Sequence, residues 1–416
     1  MSEPPHIRPE SEPWPLVVAG SVLMATTAAV WYSAAVFFVA ILREFQRDYA
    51  DTSGIFSVFI VLYGVSGMLV GDCVDRFGCR RVIITGSALM SLGLFVNSLA
   101  TGLGSLYISH GVLASFGMSA MGYVPVSVLL TRSFHRHRGL ALGTASAGVG
   151  IGILTGVPIV QFLISQVGWR LAYTCLAILT FTASFPIGLW AIPNDRGDVQ
   201  KHFAGSHDPR ATLLSAITSR TFWLVTATFA LLNTPVQLVM THQVAHLVER
   251  GQTPAFVAGL VGLIGLISIP AKILWGFLSD RWWIENIYAI GSTLLILAIG
   301  GLMSLSPATP AGAQYLYVVL MAFGYALSPA MTPILTGRFF SGQHFGVLFG
   351  AVNILYHVGG AAGVWLAGHV HDFTGEYSWA FVGSIVSAAA AAACVWFAAP
   401  RRVAWQPGAQ FLTPRS

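Results

Sequence analysis

One charged side chain stands where charge is expensive. Lys272 lies inside the apolar run 253–279, eight residues before Asp280. At the helical rise that spacing is about 12 Å from the polar boundary. An isolated ammonium at that depth needs a partner, and ionisable groups inside apolar spans belong by default to binding or transport sites. No Asp or Glu sits deep in any apolar run of the chain, so an anion from outside the protein, such as a carboxylate, is the natural partner. Lysine offers a compact point charge rather than the planar fork of arginine, which leaves the shape of that anion open. The plainer reading, a lysine snorkelling to the interface, is weakened by the depth of the position.

Other polar groups fall at helical spacing. Asn233, Gln237 and Thr241 form an i, i+4, i+8 stripe, Asn353 and His357 are four apart with Tyr356 beside them, and Ser268 is one turn from Lys272. Tyr123 and Tyr325 occupy corresponding places in two related stretches. Singly, each is the kind of residue that hydrogen-bonds between membrane helices. Together they make a ring around a central cavity with Lys272 in its wall. His357, His242, His246 and Lys272 are the groups able to carry a proton near neutral pH; His242 and His246 fall toward the end of their run, at an interfacial position, as do His369 and His371.

Enzyme chemistry finds little support. The pairs His135/His137 and His369/His371 lack carboxylate companions at metal-ligand spacing, Asp372 apart. There is no paired-acid cluster and no G-x-x-x-x-G-K-[ST] phosphate loop. Cys73, Cys79, Cys175 and Cys394 are scattered, without a disulfide or metal pattern. No cofactor is expected.

The elements that must hold these residues follow from composition. Of 416 residues, 55% are hydrophobic and 9% charged, too few charges to clothe a water-soluble surface. Twelve apolar runs, near 14–42, 51–74, 82–102, 105–131, 138–165, 169–191, 221–248, 253–279, 287–306, 313–337, 344–370 and 378–399, each approach the roughly 20 residues that span a bilayer. Backbone groups in lipid must be paired internally, and runs without period-two alternation exclude a β-barrel. The expected fold is all-α and integral to the membrane. The proline-rich acidic head lacks a basic n-region and a cleavage site, so the first run reads as a retained span.

Basic residues orient the spans. Sixteen, Arg76, Arg80, Arg81, Arg132 and Arg281 among them, fall on one side; four (Arg43, Arg47, Arg170, Arg250) fall on the other. The positive-inside rule then puts both termini in the cytoplasm, and the net charge of +5 is this topological signal rather than a nucleic-acid footprint. The expected organisation is a tail at 1–13, a six-helix bundle at 14–192, a cytoplasmic linker at 193–220, a second bundle at 221–399 and a tail at 400–416.

The two halves repeat at a spacing near 205 residues. Gly71-Asp72-Cys73-Val74-Asp75-Arg76 matches Gly276-Phe277-Leu278-Ser279-Asp280-Arg281, Gly122-Tyr123 matches Gly324-Tyr325, and Leu130-Thr131-Arg132 matches Leu335-Thr336-Gly337-Arg338. Repeat-built membrane proteins place substrate between repeats near the midplane.

The stretch GDCVDRFGCRR (Gly71 to Arg81) resembles the G-x-x-x-D-R-x-G-R-[RK] signature of the major facilitator superfamily. The resemblance implies gating of the cytoplasmic side by Gly71, Asp75, Arg76, Gly78 and Arg80, echoed by Asp280 and Arg281, where Trp282-Trp283 replace the expected glycine. Within that superfamily, RSFHRHRGLALGTASAGVGIG (Arg132 to Gly152), VFFVAILREF (Val36 to Phe45), Gly168-Trp169-Arg170 and SIPAKILWGFLSDR (Ser268 to Arg281) resemble the monocarboxylate porters and their oxalate/formate exchanger relatives. That branch carries an arginine for the substrate carboxylate at the position of Lys272, and an aromatic at Tyr123 contributes to its site. The acidic-glycine-tryptophan signature of its first span is replaced here by Trp14-Pro15-Leu16-Val17. The exchangers' second cation, expected near Val352, is missing, with His357 the nearest basic residue. The resemblance implies transport of a small organic anion, monocarboxylate-like, with a co-transported proton, by a monomer in the lipid bilayer (the inner membrane in a bacterium). An exchanger, or a uniporter or exporter of a neutral solute, is the alternative.

Overall fold

A computed structural model describes residues 13–134, 138–194, 216–279, 281–340 and 345–398. The expected tails before residue 13 and after 398, most of the linker 193–220, the gating candidate Asp280 and the side chain of Asp75 lie outside the described residues.

Eleven long apolar helices make up the described chain, and no strand occurs among the described residues. They are α1 (Trp14–Phe45), α2 (Tyr49–Phe77), α3 (Cys79–Ser98), α4 (Leu103–Ser133), α5 (Arg138–Pro186), α6 (Arg220–Glu249), α7 (Pro254–Ser279), α8 (Ile284–Ser304), α9 (Ala311–Phe339), α10 (Phe345–Thr374) and α11 (Ser378–Ala398). Each is long and apolar enough to cross a membrane. Their ends fall within about four residues of the apolar runs, as helix boundaries read from hydropathy do.

The runs expected at 138–165 and 169–191 form one nearly unbroken helical stretch. It breaks at Gly168, whose φ of 80° and ψ of 164° belong to a region only glycine adopts without strain. Before the break, Gly148, Gly152 and Gly156 climb alongside Ser21, Ala25 and Ala29 of α1. After it, Arg170 meets Glu44 at the far end of α1, and Leu189 returns to Arg80 at the start of α3. The chain therefore reverses at Gly168. A straight helix of 49 residues would run about 74 Å, more than twice the hydrocarbon thickness of roughly 30 Å.

Proline and glycine shape the helices near the central residues. Pro235 inside α6 has no N–H for the Leu231 carbonyl, and the Ser387 hydroxyl of α11 donates to that oxygen instead, at 2.7 Å. Pro270 breaks the hydrogen-bond ladder of α7 two residues before Lys272. In α4 a π-helical segment, Tyr107–Ala114, is followed by a break at Gly122 (φ −95°, ψ −134°), and a new helical piece begins at Tyr123.

Among the described residues, first-half helices pack most extensively on second-half helices where α2 meets α10, α5 meets α7 and α1 meets α6. Along α2 and α10 the antiparallel register brings Tyr49 to Asp372, Ser53 to Gly368 and Gly64 to His357. Small residues allow an equally close approach of α5 and α7: a Cβ on Gly150 would collide with Ile269, and one on Gly265 with Ile153.

Candidate functional site

Lys272 lies on the second half of α7, partly exposed despite its depth along the helix. Among the described residues its ammonium pairs with no carboxylate. Its neighbour is the face of Tyr325 on α9, with Nζ 5.1 Å from the ring centroid, inside cation–π range. Tyr325 in turn reaches α1: its hydroxyl is 2.6 Å from that of Tyr32, and the two rings stand edge to face at 5.9 Å. Three helices are thus joined through one tyrosine, and Lys272 stands beside the link.

A second aromatic group extends this wall. Trp31, next to Tyr32, packs edge-on against Tyr63 of α2 at 4.9 Å and against His357 of α10 at 6.4 Å. Tyr63 and Tyr356 flank His357 at 5.3 and 5.0 Å. His357 fits because α2 carries Gly64 there; a Cβ on Gly64 would stand 2.7 Å from that of His357. The His357 Nδ1–H donates to the Asn353 carbonyl at 2.8 Å, which fixes the ring along its own helix.

The expected ring is therefore gathered unevenly. Lys272, Tyr325 and His357 face the junction of α1, α2, α7, α9 and α10. Gln237, with Thr241, lines a small cavity of about 20 Å³ beside Trp31, Tyr32 and Phe59, room for about one water. Tyr123 is half exposed at the start of its helical piece. Three others are occupied by backbone. Asn233 is fully buried and donates to the Tyr356 carbonyl at 2.8 Å, binding α6 to α10. Ser268 donates to the Gly265 carbonyl at 2.7 Å, and Asn353 to the Phe349 carbonyl at 3.3 Å. The sequence reading missed Tyr32, Tyr63 and Trp31. Their signal was a polar aromatic in mid-span, a tyrosine hydroxyl or the Trp31 indole N–H, which needs a hydrogen-bond partner where water is absent.

His242 and His246, expected at an interface, are buried inside the protein. His242 donates through Nε2 to the Val364 carbonyl at 2.9 Å and faces the Tyr377 hydroxyl at 3.2 Å; His246 lies 3.3 Å from the Leu302 carbonyl. Among the described residues no three His, Cys, Asp or Glu side chains cluster as a metal site.

Of the gating candidates, Arg76 pairs with Asp72 one turn back at 2.9 Å, both exposed. Arg80 donates to the Leu189 carbonyl at the end of the stretch following α5. Gly78, with φ 84°, makes the turn between α2 and α3. Arg281 stacks its guanidinium 3.6 Å from the centroid of Phe277.

The profile of the Major Facilitator Superfamily matches residues 20–364. Monocarboxylate transporter 13 of Rattus norvegicus is 28% identical over 380 residues, covering 89% of this chain and 85% of that protein. Monocarboxylate transporter 11 of Homo sapiens is 28% identical over 386 residues, covering 90% and 80%. Monocarboxylate transporter 4 of Rattus norvegicus is 24% identical over 374 residues, covering 89% and 79%. Among solved structures, a bacterial homolog of the human lysosomal transporter Spinster, inward-facing and unoccupied, superposes with a TM-score of 0.74 at 16% identity, over 96% of this chain and 100% of that one. A peptide transporter in complex with sulfate gives 0.73 at 13% identity, over 95% and 96%. These structures share the fold. With its apolar helices, the matched profile and these relatives, the chain is a multi-pass membrane transporter rather than an enzyme, similar to the monocarboxylate transporters, and it belongs to the Major Facilitator Superfamily.

Proposed function

We propose that the chain is a secondary transporter that moves a small monocarboxylate-like anion by alternating access, in symport with a proton. Its two six-helix bundles are 14–192 and 221–399, joined by the cytoplasmic linker 193–220, with both termini cytoplasmic and a monomer as the working unit. Taking the two legs of α5 as separate passes brings the eleven helices to twelve. In a bacterium the membrane is the inner one.

The observation that carries this reading is the ammonium of Lys272, which pairs with no carboxylate among the described residues and is held beside Tyr325 at the junction of both halves. A substrate carboxylate supplies its missing counter-charge. Charge-assisted hydrogen bonds are the strong ones in a water-poor site, and Tyr325 and Tyr32 add donors at the same place. Tyr123, Gln237 and His357 complete the surroundings on this reading, while Asn233, Ser268 and Asn353 serve mainly to hold helices, given their backbone partners. His357 packs against Trp31 and Tyr63, whereas His242 and His246 pack against Phe38 and Phe381, so Lys272 and His357 are the better candidates for the coupled proton. Arg76, Arg80 and Arg281, with Gly71, Gly78, Asp75 and Asp280, gate the cytoplasmic side.

The test is uptake of a panel of radiolabelled carboxylates into proteoliposomes, with and without an inward proton gradient. One anion is expected to show gradient-stimulated uptake that collapses in Lys272→Ala. Equal uptake by that variant sinks the assignment of Lys272, and movement of neutral solutes alone sinks the anion.

A further inference from the structure

The end of the molecule opposite Arg76 and Arg80 is tied shut by groups that the transport site does not use. Helix α2 begins at Tyr49, and its own N-cap residue, Asp48, makes no side-chain capping bond. The free N–H groups of Tyr49 and Ala50 donate instead to Asp372, at the far end of α10, at 2.7 Å each. A carboxylate at a helix N-terminus satisfies orphan donors and the helix dipole together, and here it comes from the other half of the chain. The Tyr49 hydroxyl donates to Glu249 of α6 at 2.7 Å, and the other Glu249 oxygen lies 3.3 Å from Nε2 of His371. The rings of Tyr49 and His371 stack at 3.7 Å. One turn deeper, α2 and α10 approach so closely that a Cβ on Gly368 would collide with Ser53. Behind the cluster, Tyr377 packs 4.5 Å from His371. Its buried hydroxyl is pushed well above the ordinary tyrosine value, so it stays a neutral donor toward His242.

We propose that Asp372 and Glu249, gripping Tyr49 and the first turn of α2, are the outer gate of the transport cycle. The proposal rests on the alternating-access reading above. Every hydrogen bond across the gate has its acceptor on the second half of the chain and its donor on α2. Tilting α2 away from α10 breaks all three at once, so the gate has two arrangements rather than a continuum. Asp372 caps α2 only in the shut arrangement, and in the open one water takes its place. Removing the carboxylate therefore shifts the balance toward the outward-open state without touching the Lys272 site.

The experiment uses Ser53→Cys, at a fully buried position just below the gate, and follows its labelling by a membrane-impermeant maleimide added to right-side-out vesicles. The same protein without that cysteine supplies the background from the native thiols. Labelling is expected to be slow in the parent and at least about tenfold faster with Asp372→Ala. Tyr49→Phe, which loses one bond and keeps the cap, should fall between them, and Asp372→Glu should restore protection. Glu249→Gln is a second route to the open gate should Asp372→Ala fold poorly. Labelling that responds to added substrate but not to these variants overturns the gate. If Asp372→Ala lowers the melting temperature at an unchanged labelling rate, the residue is a structural cap and the gate is again overturned. Labelling of the parent that never changes with substrate, while transport persists, strikes instead at alternating access.

Discussion

The hydroxyls of Tyr32 and Tyr325, 293 positions apart in the chain, meet at 2.6 Å. The same Tyr325 ring lies under the Lys272 ammonium, so one side chain holds the cation on its face and the first half of the chain on its edge. On the proposed reading, a group placed this way couples binding to the approach of α1 and α9.

The two roles of Tyr325 separate by substitution. Tyr325→Phe keeps the ring beneath Lys272 and removes the link to Tyr32. A neutral hydrogen bond contributes about 1 kcal/mol net, so KM for the carboxylate is expected to rise about fivefold. Tyr325→Leu also removes the cation–π contact, worth about 0.5–2 kcal/mol, and should raise KM a further few-fold or more. Uptake kinetics on the two variants check this, and equal KM values would falsify the division of roles.

Gly168 and Gly143 make a paired test of backbone against packing. Neither has an atom within 4 Å of a built Cβ. Gly168 has φ 80° and ψ 164°, so Gly168→Ala strains the reversal between the legs of α5 by about 1–3 kcal/mol. Gly143 is helical, so Gly143→Ala is neutral or stabilises by about 0.5–1 kcal/mol. The melting temperature in detergent should therefore fall for Gly168→Ala and hold or rise for Gly143→Ala, and a fall of equal size in both would contradict the assignment.

How much of this was legible in the sequence depends on the range of the interaction. The apolar runs mark the helices because lipid contact is local, and even the turn at Gly168 falls in the gap between two runs. Lys272 stands out because charge in an apolar run is rare. The rotation of a helix about its axis is not local, however. The polar character of Asn233 and Ser268 was plain, yet whether each faces a cavity or a neighbouring backbone is decided by which helices pack against it. Tyr32 pairing with Tyr325, and Asp372 with α2, join residues hundreds of positions apart, which no short-range pattern encodes.

Asn233 separates a structural role from a binding one. Its amide donates to the Tyr356 carbonyl, so Asn233→Ala loses that bond and leaves a small void between α6 and α10. The expected loss is about 1–3 kcal/mol, seen as a melting temperature lower by several degrees. KM should stay within about twofold of the parent. A large rise in KM at unchanged thermal stability points to direct substrate contact and defeats the prediction.

The fit of His357 against Gly64 gives the sharpest test of how α2 meets α10. A Cβ on Gly64 would stand 2.7 Å from the Cβ of His357 and 2.9 Å from its Cγ. The nearer atom is fixed to the backbone, so a rotamer change cannot relieve the clash and the helices must separate. Overpacking of this kind costs about 1–3 kcal/mol, and here it also forces apart the helices that carry Tyr63 and His357. Gly64→Ala should therefore lower both melting temperature and uptake. Adding His357→Ala leaves the offending Cβ in place and should not restore stability, whereas His357→Gly removes it and should recover most of the thermal loss. Uptake need not return with it, because the imidazole beside Tyr63 and Tyr356 is gone. Equal rescue by alanine and glycine would show that the imidazole, and not the backbone separation of α2 and α10, sets the spacing.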